Sequence, residues 1–170
     1  MFNTSDVVVV TAVAGGSGTA AAIDLVLRRV PNSLTFGLAL VGLTLAAAGV
    51  SGLSVVSALA GLVVGLLLML PGHVIAGTGA GDVKMLASLG TLLGPRGVVA
   101  AFFYAAIAGG VLAVVVAMRR RILCRTVERA AALVATRGAN VAEIEHDGSD
   151  NRFAYAPAIA VGAIAAALGW

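Results

Sequence analysis

The chain is organised as long apolar runs separated by short polar or glycine-rich stretches, and the runs show neither an amphipathic helical stripe nor the alternation of a strand. Runs of this kind suit helices solvated by lipid. A helix satisfies its own backbone hydrogen bonds and needs about 20 apolar residues to cross the hydrocarbon core. The candidate runs are about Val7 to Leu27, Leu34 to Val50, Leu53 to Leu70, Val83 to Leu93, Gly97 to Met118 and Phe153 to Trp170. The fourth is short: at 1.5 Å per residue it covers roughly 16 Å, about half the core. One of its ends, placed at Asp82, is therefore expected within the membrane region, shielded by other helices or by a water-filled cleft. Pro95 and Arg96 mark its break from the fifth run. The pattern predicts an all-α, polytopic membrane protein with about six transmembrane helices, forming a single membrane-embedded domain over residues 1–170.

The polar positions orient this arrangement. No Lys or Arg precedes the first run, whereas Arg28 and Arg29 follow it, so that run reads as a retained span with its C-terminal end inside rather than as a signal peptide. With six spans, ten of the eleven basic residues then fall on the inner side or at an inner helix end, and only Arg96 falls outside. Both termini are expected outside. The long polar region, 119–152, is expected as a cytoplasmic loop. In its first half Ile122, Leu123, Val127, Ala130, Leu133 and Val134 recur at helical spacing among arginines, the pattern of a basic amphipathic helix on the inner leaflet. Its second half, with Glu143, Glu145, Asp147 and Asp150, reads as a solvated linker or as an attractor for a basic partner.

Composition agrees: 60% of the 170 residues are hydrophobic and 11% charged, which excludes an ordinary soluble domain. The net charge of +3 is explained by topology and carries no indication of nucleic-acid binding. A lone Cys124 excludes an internal disulfide, and His73 and His146 form no metal-ligand motif, so no metal and no cofactor is expected. Gly77 to Gly81 is not read as a phosphate loop, because no strand precedes it and its spacing matches neither the dinucleotide nor the Walker pattern. Gly61 and Gly65 have the spacing that permits close helix contact, in a chain with 22 glycines.

Charged groups in or beside membrane spans are costly, and two carboxylates stand out. Asp24 lies near the inner end of the first run, and Asp82 follows the glycine-rich stretch that opens the fourth, on the same side by the charge count. Two carboxylates held together do not both ionise cheaply, so one retains a proton while the other accepts one from water, the chemistry of metal-free peptide hydrolysis. The structural alternatives are an ion pair of Asp24 with Arg28, four residues on, and an N-cap role for Asp82.

At these residues the sequence resembles the type IV prepilin peptidases. Gly79-Ala80-Gly81-Asp82, continuing to Lys84, is similar to their G-x-G-D motif. Asp24 followed by Arg28-Arg29-Val30-Pro31-Asn32 is similar to the family's first aspartate and its basic-Ile-Pro-Asn segment. Tyr155-Ala156-Pro157-Ala158-Ile159-Ala160 with Gly162 resembles the last span of the short members serving Tad-type, or Flp, pili. The resemblance implies a G-x-G-D aspartic protease fold in the inner membrane. It makes Asp24 and Asp82 the catalytic pair facing the cytoplasm, with Gly79, Gly81, Lys84, Pro31 and Asn32 in support. Lys84 reads equally as a solvated inner-end charge or as a tuning partner for Asp82. The implied substrate is a prepilin or pseudopilin whose basic leader is cut at the inner membrane face. No paired CxxC motifs precede the first span, so peptidase activity is expected without methyltransferase activity. The alternatives are a non-catalytic membrane subunit of a pilus or secretion assembly and a small proton-coupled transporter. Oligomeric state is not read from the sequence.

Overall fold

A computed structural model describes residues 3–76, 78–119 and 155–169. They form α1 (Thr4–Leu27), α2 (Asn32–Ala47), α3 (Val55–Ala76), α4 (Ala80–Arg119) and α5 (Ala156–Leu168). Among the described residues there is no strand. Helical stretches Thr4–Leu27, Val55–Val74 and Ala80–Val116 are long and apolar enough to cross a membrane, while α2 and α5 are shorter apolar helices. This all-helical architecture fits a membrane protein. The amphipathic helix and acidic linker expected within 119–152 lie, beyond Arg119, outside the described residues.

The element ends follow from local chemistry. At the start of α1, Asn3 and Asp6 form a reciprocal capping box, which satisfies backbone donors that the first turn leaves free. The helix ends where Arg28 enters the left-handed region, at φ 52° and ψ 34°, with its N–H donating to the Asp24 carbonyl at 2.8 Å. Pro31 then opens α2 from an extended conformation, at φ −65° and ψ 139°. Within α4 the chain leaves helical geometry at Gly94 alone, at φ 67° and ψ 179°. The break comes just before the Pro95–Arg96 pair that the sequence marks. Proline disfavours the helical region for the residue preceding it yet can itself begin a helix, and the positive φ adopted at 94 is one that glycine tolerates. The fourth and fifth apolar runs are thus the two halves of α4, hinged at one residue. Helix α3 continues past the expected end at Leu70, through Pro71 to Ala76.

The first half of α4 is the centre of the bundle. Met85, Leu86, Leu89 and Leu92 are almost completely buried, as are Ser88 and Thr91. The hydroxyls of these last two satisfy themselves on carbonyls three residues back, at 2.8 and 2.7 Å. Helix α4 packs most extensively on α3 and α5 and also on α2, whereas α1 packs chiefly on α5 and touches α4 little. Close approach is achieved with glycine: a Cβ on Gly61 would strike the Gly90 carbonyl, one on Gly90 the Gly61 carbonyl, and one on Gly65 the Leu86 carbonyl at 2.7 Å. The Gly61–Gly65 pair is therefore a backbone-to-backbone contact between α3 and α4, the packing that membrane helices use where no hydrophobic force drives them together. Gly162 plays the same part between α5 and the backbone at Ala101 and Ala105. Outward-facing Val56, Leu59, Val63, Leu67 and Val74 on α3, and Phe103, Ile107, Val111 and Met118 on α4, are exposed, a surface suited to lipid.

Candidate active site

One end of the bundle gathers the end of α1, the segment 28–31, and the starts of α2, α4 and α5. Asp24 continues the buried face of α1 formed by Val13, Ser17 and Ala20, and is itself only 6% exposed. Its carboxylate Oδ2 accepts the backbone N–H of Ala156, the first residue of α5, at 3.4 Å. The Arg28 side chain, by contrast, is exposed to the surroundings.

Asp82 is 8% exposed and is the third residue of α4, so it is not the residue that caps the helix. Its own N–H donates to the Gly79 carbonyl at 3.0 Å. Its Oδ2 lies so close over Gly79 that a Cβ there would stand 3.2 Å from it. A glycine at 79 leaves the carboxylate room to fold back over the helix start. The carboxylates of Asp24 and Asp82, 58 positions apart in sequence, are within electrostatic reach of each other.

The supporting residues bind these two segments together. Gly81 sits against Val30, where a Cβ would come within 3.2 Å of the valine Cβ and 3.4 Å of its backbone nitrogen. Lys84 donates from Nζ to Asn32 Oδ1 at 3.0 Å, and Asn32 follows the conformationally fixed Pro31. His73, near the end of α3, pairs through Nδ1 with the Thr78 carbonyl. Gly77 lies outside the described residues. Among the described residues no three His, Cys, Asp or Glu side chains come together as a metal-binding group.

Residues 11–114 match the type IV leader peptidase family. The chain belongs to that family. Comparison with curated proteins and with solved structures found no match. Membership of the type IV leader peptidases makes this a prepilin peptidase-like protease, and the matched region contains Asp24, the 28–32 segment and Asp82 to Lys84. Helix α5 lies beyond it. Sequence reasoning placed Tyr155 and Ala156 only in a resembling last span and did not foresee what they do. The Tyr155 ring rests on Gly109, its hydroxyl donates to the Ala105 carbonyl at 3.3 Å, and it too is within electrostatic reach of Asp82. The one sequence signal was a polar aromatic at the edge of an apolar run; a backbone donor such as Ala156 leaves none.

Proposed function

We propose that the protein is a prepilin leader peptidase in which Asp24 and Asp82 act as a catalytic dyad on a bound water. The observation that carries this reading is the juxtaposition of two buried carboxylates from different helices at one end of an apolar bundle. Two carboxylates held together do not both ionise cheaply, so in this reading the pair shares one proton. The unprotonated aspartate takes a proton from water as it attacks the scissile carbonyl. The protonated one hydrogen-bonds the developing oxyanion, and return of a proton to the amine releases the product. Peptide and water thus give a carboxylate and a protonated amine.

In this reading the six apolar runs are six spans of a single G-x-G-D-type domain, the two halves of α4 counting as two. Arg28, Arg29 and Lys84 hold the site end at the cytoplasmic face of the inner membrane. The substrate is a prepilin or pseudopilin of the type IV or Flp class, whose basic leader is cut at that face, and no methyl transfer accompanies the cut. The test is an immunoblot of a tagged Flp-type prepilin coexpressed with wild-type protein, Asp24→Asn or Asp82→Asn. Each variant, at normal membrane level, is expected to leave the prepilin at full length. Processing that continued in either would remove that aspartate from the chemistry and leave it a structural role.

A further inference from the structure

Helix α1, which carries Asp24, makes little direct contact with α4, which carries Asp82. The spacing of the two carboxylates must therefore be set by what joins the helices indirectly. Two connections lie beside the carboxylates. One runs through α5: Asp24 bonds to the Ala156 N–H while Tyr155 bonds to the Ala105 carbonyl of α4. The other runs through the segment that leaves α1 four residues after Asp24, where Val30 is buried on Gly81 and Asn32 accepts from Lys84.

Lys84 sits in an electrostatically awkward place. It is the fifth residue of α4, just past the first turn, where the positive end of the helix dipole offers a cation no stabilisation. A charge needed only for membrane orientation would serve as well in the preceding loop. The structure gives its ammonium a specific acceptor on the opening residue of another helix. The bond is exposed, and charge assistance makes it stronger than a neutral bond in the same place.

We propose that Lys84 and Asn32 are positioning residues: their hydrogen bond, with Val30 seated on Gly81, latches the chain leaving α1 to the start of α4 and so fixes Asp24 relative to Asp82. This deepens the proposed peptidase function and rests on it. The latch acts through the aspartates, so its loss lowers turnover without altering how the leader is held. A displacement of about 1 Å is enough to cost about 100-fold in rate.

The test measures kcat and KM for cleavage of a purified Flp-type prepilin by the full-length protein in proteoliposomes. Lys84→Met and Asn32→Ala are each expected to lower kcat by about 10- to 100-fold with KM within about twofold of wild type. The double variant should be no slower than the slower single one, because both remove the same bond. Lys84→Arg and Asn32→Asp, which keep a donor and an acceptor, should retain most of the activity. Equal activity in Lys84→Met, multiplicative losses in the double variant, or an effect confined to KM would each overturn the latch. Wild-type protein that fails to cleave, or an active Asp24→Asn control, would instead overturn the peptidase reading on which the latch depends.

Discussion

A carboxylate in an apolar surround is expensive and demands a reason, and Asp24 and Asp82 are both buried. The contacts around them were harder to see. The Ala156 N–H looks like every other backbone donor, and the Lys84–Asn32 bond joins residues 52 positions apart, so spacing along the chain carries no trace of either. Tyr155 offers a test at this scale. Tyr155→Phe keeps the ring on Gly109 and removes only a long hydrogen bond to Ala105, so it should cost no more than about 1 kcal/mol of stability. Gly109→Val pushes a side chain into that ring and should cost more, about 1–3 kcal/mol. Thermal unfolding of the two variants in the same detergent checks the order, and a larger loss for Tyr155→Phe would mean that the hydroxyl matters more than the packing.

The apolar runs located the helices well, since in lipid hydrophobicity and length together decide what becomes a helix. Their ends were less legible. The third apolar run was bounded at about Leu70, yet α3 continues six residues beyond it through Pro71, because neighbouring helices and local adjustment make a proline tolerable in membrane helices. The Gly61–Gly65 spacing was visible, but not that Gly90 of α4 would meet it, which only the packed pair reveals. Gly61→Val and Gly90→Val should each destabilise the bundle by several kcal/mol, since what they meet is backbone and cannot swing aside. Gly15→Ala, with nothing within 4 Å, should be neutral or stabilise by about 0.5–1 kcal/mol. Folded yield and melting temperature after detergent extraction separate these cases. A tolerated Gly61→Val would show that α3 and α4 are not in contact there.

At the scale of the whole molecule, the proposed orientation makes a prediction that requires no substrate. With Cys124 replaced by serine, a single cysteine at Arg29 should react with an impermeant thiol reagent only in inverted vesicles, and one at Gly52 only in right-side-out vesicles. The reverse pattern would place the aspartates on the far side of the membrane from the proposed leader. The sequence alone indicated that both aspartates belong to one side, because charge asymmetry is a global property of the chain. It did not indicate that α5 supplies a donor to Asp24. Asp24 waits for a donor 132 residues further along. A ribosome delivers the first aspartate early in synthesis and its α5 partner near the end of the described chain, so a half-made copy in the membrane carries both acids without the group that seats one of them. In the proposed enzyme both acids are thus made before the N–H that seats Asp24.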